Sequence, residues 1–307
     1  MCLRKSHLKV VENRTGMTVL ELVVAVSIVG LLAAISLPAA SAARESARRL
    51  DCSSRLRQLV VAASTYESAF TTFPADRRLW RLQVAGFMDS GARVFSCPSD
   101  EYSSVSRGTC NYLVNGGLAN QGDTHHSAFA AVRGDRRAAD AIDGLSNTAA
   151  FSERLVQIHV STGDLLDRVD PVIADLYPLR FTWYTPTAWA GVSNQDKFLS
   201  ECLNRRTTAF PNLDPARTLA SGMLFYDHAF PPGTTGCYNG PPDLDGPNAP
   251  FGPAYAGRVS PASSSHAGSG CNVAFADGRV VFASSKVAAA VWRAVGSING
   301  MELQTTF

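Results

Sequence analysis

The chain has 307 residues, of which 46% are hydrophobic and 18% charged, so it carries material for a sizeable core and is not a disordered, self-repelling chain. Its 28 Lys and Arg residues nearly balance its 26 Asp and Glu residues, which excludes the basic excess of a nucleic-acid-binding protein. The seven cysteines are an odd number, so one thiol would lack an intramolecular partner in an exported protein.

The first predicted element is a membrane-spanning helix. Met17 to Leu37 is an apolar stretch of 21 residues with a single charge, Glu21. This length is sufficient to cross a hydrocarbon core of about 30 Å as a helix. The preceding segment 1–16 has four basic residues and one acidic residue, which favours a cytoplasmic N-terminus. We therefore expect a single-pass protein of the cytoplasmic (inner) membrane with a periplasmic or extracellular head.

The start of this helix carries a processing motif. The hexapeptide GMTVLE at 16–21 resembles the prepilin-type site of type IV pilins and type II secretion pseudopilins. The resemblance implies that prepilin peptidase cuts after Gly16, and that Met17 becomes the methylated first residue. It also implies that Glu21 faces the freed α-amino group of the same or a neighbouring subunit during assembly.

Two other interpretations of this region remain open. A carboxylate in an apolar span costs roughly 2.5 to 3.5 kcal/mol at a helix centre on insertion scales, so Glu21 could instead sit near the interface and reach water. Small residues at Ala39 to Ala43 offer a conventional signal-peptide cut.

Cleavage after Gly16 changes both the charge balance and the number of cysteines. Removing the leader, with its four basic residues and one acidic residue, leaves 24 basic and 25 acidic side chains. Cys2 leaves with it, so the mature chain has an even set of six cysteines, which an exported protein can pair in 15 ways. These are Cys52, Cys97, Cys110, Cys202, Cys237 and Cys271.

The helix is predicted to continue through Pro38 to about Phe70, because a membrane helix tolerates such a break and the following segment is rich in Ala and Arg. Its second half is amphipathic. The apolar stripe consists of Leu56, Leu59, Val60, Ala63 and Phe70. The arginines on the opposite surface are interpreted as a solvated face. The predicted domains are a removed leader at 1–16, the helix at 17–70 and an exported head at 71–307.

The head is predicted from short apolar stretches separated by Gly, Pro, Ser, Asn and Asp. Together with the helix, this gives an α+β, pilin-like fold in which a long N-terminal helix packs on a β-rich antiparallel head. The clearest local pattern is a hairpin of Asn272 to Ala276 and Val280 to Ala283 around Asp277-Gly278. A short closing helix is predicted at 286–295.

The C-terminal region carries a second resemblance. His266 followed by Asp277 and Gly278 resembles the signature of a domain-of-unknown-function family common in planctomycetes, which is named for His-x9-Asp-Gly. In this chain the interval holds ten residues, which predicts a loop insertion or a bulge near Gly268 to Cys271. Further landmarks match in order along nearly the whole chain, among them Cys52, Cys97, Asp100, Asn111, Glu153 and Cys237. The resemblance favours a Cys52–Cys97 disulfide that locks the helix onto the head.

The sequence also contains residue types that serve enzymes and metal sites. Ser263 to Ser265, His266 and Asp277 have the residue types of a hydrolase triad, but there is no Gly-x-Ser-x-Gly motif and turn chemistry already explains Asp277. We therefore expect no catalytic residues. His125-His126 and His228 lack zinc-ligand spacing. No cofactor is expected, although calcium at Asp243 and Asp245, in an oxygen-rich loop, stays open.

The function predicted from the sequence is assembly into a pseudopilus or pilus-like filament of a type II secretion-like system. The expected partners are the membrane, prepilin peptidase, and further copies of this chain or other pseudopilins, with no nucleic acid. One alternative is a membrane-tethered module that binds a polysaccharide or another extracellular ligand. Another is a tethered hydrolase that uses His266.

Overall fold

The computed structural model of the protein describes residues 17–74, 84–88, 94–102, 110–118, 129, 136–156, 175–184, 195–204, 208–211, 225–238 and 258–300. Several predicted features lie outside these residues. They are the leader with Gly16, the His125-His126 pair and the calcium candidates Asp243 and Asp245. The chain divides into two compact units, Met1–Ser46 and Ala47–Phe307.

Helix α1, Val19–Phe70, has 52 residues and begins with a capping box. The Thr18 backbone N–H donates to Glu21 Oε2 at 2.8 Å, and the Glu21 N–H donates to Thr18 Oγ1 at 3.3 Å. These reciprocal bonds satisfy two backbone donors that a helix start leaves without intrahelical partners. As predicted, the helix continues through Pro38.

The first half of α1 is long and apolar enough to cross a membrane, and its apolar window is entirely unburied within the protein. Leu20 and Val29, for example, are 73% and 65% exposed. Its serines do not offer free hydroxyls, since Ser27 Oγ donates to Val23 O at 2.7 Å and Ser36 Oγ donates to Leu32 O at 2.7 Å. Bonds of this kind make serine compatible with an apolar environment.

The second half of α1 contributes to the core of the head. Leu56, Leu59, Val60 and Ala63 are buried, which confirms most of the predicted stripe. The prediction was wrong for Phe70, which is 56% exposed. Phe70 is the last residue of the helix, and the chain then changes direction at Thr71, whose φ is 60°.

The remaining elements are short. In the described part of the head, two α-helices have their own bounds, α2 at Gln195–Asn204 and α3 at Ala289–Ala294. The strands are β1 (Tyr112–Asn115), β2 (Ala149–Glu153), β3 (Phe181–Tyr184), β4 (Thr208–Pro211), β5 (Phe225–Tyr226), β6 (Gly236–Tyr238), β7 (Arg258–Val259), β8 (Gly270–Phe275) and β9 (Val280–Ser284). Helix α3 is the predicted closing helix, shortened at its start.

The strands form two sheets, and both are mixed. The larger sheet has the order β5-β1-β2-β8-β9, and β5 pairs with β1 in parallel. The smaller sheet has the order β4-β3-β6-β7, and β3 pairs with β6 in parallel. The α+β class is confirmed, whereas the prediction of an antiparallel head was wrong. The parallel pairs join strands that are far apart in sequence, and short apolar runs do not encode such pairing.

Strands β8 and β9 form the predicted hairpin. Their register is unbroken from Gly270 opposite Ser284 to Ala274 opposite Val280. Gly278, in the connecting turn, has a φ of 91°, which suits glycine. The extra residue between His266 and Asp277 therefore does not disturb this ladder. The residues just before β8 form a tight turn in which Gly268 and Ser269 have φ values of 101° and 48°.

Two disulfides connect these elements. Cys52 of α1 is bonded to Cys97, the pairing that the family resemblance favoured. Cys202 of α2 is bonded to Cys237 of β6. The main core packs α1 with the larger sheet, and a smaller cluster, which includes Leu199 and Val259, surrounds the second disulfide.

Candidate functional site

The signature histidine lies where two neighbouring strands of the larger sheet meet. Glu153 ends β2, and His266 precedes β8 by four residues. Because β2 and β8 are antiparallel, with Ser152 opposite Val273, the end of one strand is next to the start of the other. His266 Nε2 lies 3.1 Å from Glu153 Oε1, and the two side chains are 0% and 2% exposed.

Asn272 holds the Glu153 carboxylate in place. Its backbone N–H donates to Oε2 at 2.8 Å, and its side-chain Nδ2 donates to Oε1 at 2.9 Å. A buried carboxylate is tolerated only when its oxygens are hydrogen-bonded, and these two bonds together with His266 provide that compensation. Asn272 therefore fixes the orientation of the carboxylate relative to the imidazole.

The first disulfide completes this cluster. Cys97 Sγ lies 3.9 Å from His266 Nε2. One ligand atom from each of Cys52, Cys97, Glu153 and His266 lies within 4.8 Å of all the others, and all four residues are buried. We refer to these four residues as the signature cluster.

A second buried polar group continues from the disulfide. The Cys97 backbone N–H donates to Asn111 Oδ1 at 2.8 Å, and Asn111 Nδ2 donates to Asp100 Oδ2 at 2.7 Å. Asp100 Oδ1 is paired with Arg180 Nη1 at 2.9 Å, and the side chains of this pair are 1% and 6% exposed. The Val156 N–H also donates to Asp100 Oδ2, at 3.0 Å. Asp100 thus accepts hydrogen bonds from several buried donors that water cannot reach.

His228 belongs to a separate buried group with Tyr226 and Trp292. His228 Nδ1 lies 2.7 Å from the Trp292 carbonyl, which can only accept, so Nδ1 carries the proton. Nε2 then accepts from the Tyr226 hydroxyl at 3.0 Å. Both ring nitrogens are satisfied by the neutral imidazole, and complete burial lowers the pKa of His228 from 6.5 to about 3.

This depressed pKa predicts a loss of stability in acid. Above about pH 6.5 His228 is neutral in both the folded and the unfolded chain. As the pH falls from about 6.5 toward 3, the unfolded chain binds a proton that the folded chain does not, so unfolding becomes easier by up to about 1.4 kcal/mol per pH unit. Denaturant unfolding at pH 7 and pH 5.5 should show this loss, and H228Q should have a flatter dependence. An identical pH slope in H228Q would contradict the assignment.

Gly296 allows this histidine to pack. A Cβ atom at position 296 would lie 2.4 Å from His228 Cβ and Cγ. We therefore expect G296A to lower the free energy of unfolding by about 1 to 3 kcal/mol through overpacking, measured by thermal or denaturant unfolding. G30A is the control, because its added Cβ would meet nothing within 4 Å, and it should leave the unfolding of the head unchanged. Equal midpoints for G296A and the parent chain would refute the close packing.

The residues weighed for a hydrolase are arranged differently from a Ser-His-Asp triad. Asp277 is exposed in the hairpin turn, where its Oδ1 accepts from the Arg279 N–H at 2.9 Å. His266 pairs with Glu153. Ser264 Oγ donates to the Gly270 carbonyl at 2.7 Å. Asp277 and Gly278 thus belong to the hairpin turn, whereas His266 belongs to the signature cluster.

Of the cysteines in the described residues, two lie outside both disulfides. Cys110 Sγ donates to the Tyr112 carbonyl at 2.8 Å, and Cys271 Sγ lies 3.3 Å from Ser152 Oγ. Burial raises the pKa of the Cys271 thiol, so this residue is kept protonated as a small apolar side chain.

Sequence reasoning did not single out Arg180 or Asn272 as functional. Arg180 is the last residue of a proline-initiated 3-10 turn, Pro178–Arg180, and local sequence gives no indication that it is buried. Asn272 offered a weak signal, since a polar amide occupies a position in an otherwise apolar strand where a buried side chain is expected.

Comparison with known proteins identifies one family. A family model described as protein of unknown function (DUF1559) matches residues 41–88 and 75–290. The matched region includes every residue of the signature cluster as well as Asp100, Asn111 and Arg180. No curated protein and no solved structure matches this chain.

Proposed function

This chain belongs to the DUF1559 family, and we propose that it is a prepilin-like, membrane-anchored structural protein that is processed after Gly16 and assembles into a pseudopilus-like filament. The proposed orientation places the N-terminus in the cytoplasm and the head outside it. The proposed partners are prepilin peptidase and neighbouring subunits of the same or a related kind.

The observation that carries this proposal is the composition of helix α1. One continuous helix, Val19–Phe70, is apolar and unburied in its first half and contributes buried residues to the head core in its second. A detachable signal peptide has no need to continue into the core of the domain that follows it. A subunit whose N-terminal helix both anchors it in the membrane and packs into its head requires one continuous helix.

The start of α1 supports the proposed cleavage site. After a cut behind Gly16, Met17 would be the terminal residue and Thr18 would remain as the helix cap. Glu21 Oε2 accepts from both the N–H and the Oγ1 of Thr18, at 2.8 and 3.0 Å, so the carboxylate is held at the helix end that the new α-amino group would occupy. A negative charge is also favourable there because of the helix dipole.

The unburied apolar side chains of α1 provide the surface for assembly. In the membrane they face lipid, and in a filament the same side chains would pack against α1 helices of neighbouring subunits. A repeated, non-closing contact between identical subunits generates a helical filament. The apolar surface is thereby covered in both states, first by lipid and then by protein.

Filament formation tests the proposal. The chain should be expressed with a prepilin peptidase, an assembly ATPase and a platform protein, ideally from its own genomic neighbourhood, and surface filaments should be sheared off and probed for the head. We expect the processed chain in the sheared fraction when all components are present, and in the membrane fraction when the ATPase is omitted. Processed chain that stays in the membrane under both conditions would refute assembly and favour a simple tethered module.

A further inference from the structure

We propose that the signature cluster is a zinc site that becomes available when the Cys52–Cys97 disulfide is reduced. The oxidised chain has a covalent cross-link between α1 and the head at this point. The reduced chain would have a metal cross-link between the same segments, with Glu153 and His266 as the additional ligands. This inference is independent of whether the chain forms filaments.

The donor set fits zinc. Two thiolates, one imidazole nitrogen and one carboxylate oxygen are all common zinc ligands, and structural zinc sites are four-coordinate and tetrahedral. With ordinary zinc bond lengths, neighbouring ligand atoms lie roughly 3.3 to 3.8 Å apart. The distances from His266 Nε2 to Cys97 Sγ and to Glu153 Oε1 are 3.9 and 3.1 Å, close to this range. The two sulfur atoms, which are bonded to each other in the oxidised chain, would separate to this spacing after reduction.

The surroundings of the cluster also fit a metal site. Asn272 donates to both oxygens of Glu153, and second-shell bonds of this kind orient carboxylate ligands. The four ligands are buried, which excludes competing water. The segment that carries His266 lies at the surface, because Ser265 and Ala267 on either side of the buried histidine are exposed.

Replacement of the disulfide by zinc requires a reductant and no oxidant. An external dithiol reduces the S–S bond and becomes a disulfide itself, while Cys52 and Cys97 each take one proton. Zn²⁺ then displaces those two protons and binds both thiolates. His266 would bind through Nε2 as the neutral imidazole, with its remaining ring proton on Nδ1, and Glu153 would bind as the carboxylate. The metal and the disulfide exclude each other, because both use the same two sulfur atoms.

Local sequence patterns do not reveal this site, because its ligands come from four separated segments. Cys52 lies on α1, Cys97 in an irregular segment, Glu153 at the end of β2 and His266 before β8. The expectation of no zinc site was based on the spacing of neighbouring histidines and cysteines. Only the fold brings these four residues together.

Zinc retention by the full chain in detergent tests the proposal. The protein is treated with a phosphine reductant, which is converted to its oxide and adds no competing thiol, then given Zn²⁺, desalted and analysed for metal. We expect about one zinc per reduced chain and none per oxidised chain. C52S/C97S should lose the zinc, whereas C202S/C237S, which removes the same number of thiols elsewhere, should retain it. Zinc retained equally by both double variants, or absent from the reduced parent chain, would overturn the proposal.

Co²⁺ provides a readout on the parent chain itself, for which no variant has to fold. Bound to the reduced parent chain, Co²⁺ should show the intense thiolate-to-cobalt charge-transfer absorption of a tetrahedral site with sulfur ligands. H266A should bind Co²⁺ at least tenfold more weakly, while H228Q, which changes another buried histidine, should bind as the parent does. Absence of the charge-transfer band from the reduced parent chain would refute the site.

Discussion

Replacing Asp100 by alanine should lower the free energy of unfolding by about 3 to 5 kcal/mol, which is the typical cost of breaking a buried ion pair from one side. Arg180 would keep a charge that is 6% exposed and has lost its carboxylate. Asn111 Nδ2 and the Val156 N–H would lose their acceptor at the same time. Denaturant titration of the full chain in detergent measures the difference.

The chain offers a matched control for this variant. Asp51 and Arg55 form an ion pair at 2.8 Å, close to the 2.9 Å of the Asp100–Arg180 pair, but the Asp51 side chain is 49% exposed. D51A should therefore cost only about 0 to 1 kcal/mol, because water replaces the lost partner. Similar losses for D100A and D51A would show that Asp100 is not the buried centre of this polar group.

Replacing Glu21 by alanine should abolish filament assembly while membrane insertion is kept. Insertion depends on the apolar length of α1, which the substitution extends. Removal of a carboxylate from the span also favours insertion, by at most the roughly 2.5 to 3.5 kcal/mol that such a charge costs at a helix centre. Assembly depends on the proposed pairing of Glu21 with a freed α-amino group, which alanine cannot make. Fractionation of cells into membrane and sheared-filament fractions measures both properties.

S27A is the control for Glu21. Ser27 lies in the same apolar half of α1, and its hydroxyl donates to the Val23 carbonyl of its own helix at 2.7 Å. Its substitution removes a polar group without removing a charge, so filaments should still form. If E21A subunits form filaments as abundantly as S27A subunits, the proposed role of Glu21 is wrong.

The regular parts of the fold follow from local patterns. An apolar run of sufficient length determines the first half of α1, and the recurrence of Leu56, Leu59, Val60 and Ala63 determines which side of its second half is buried. The β8–β9 hairpin follows from strand alternation around Asp277-Gly278. In each case the forces that decide the structure act between residues close in sequence.

The candidate site is different, because long-range pairing creates it. Glu153 and His266 meet because β2 and β8 are neighbours, and Cys97 is held beside them by its bond to Cys52 and by the Asn111 side chain, which accepts from its backbone N–H. Family resemblance indicated these residues and the Cys52–Cys97 pairing, but not the contact of Glu153 with His266. Arg180 gave no local signal, since its burial depends on the charge of Asp100, which lies 80 residues earlier. The parallel pairs in the sheets were not predicted for the same reason, since β1 pairs with β5, which is distant in sequence.

The amino terminus of the mature chain tests the central proposal most directly. Intact-mass and N-terminal peptide measurements on protein isolated from the membranes of its own host should find Met17 as the first residue, carrying an N-methyl group. A first residue at Met1 would show that the chain is an unprocessed anchor. A first residue beyond Ala39 would show that the apolar helix is a conventional signal peptide, and either result would contradict prepilin-type processing.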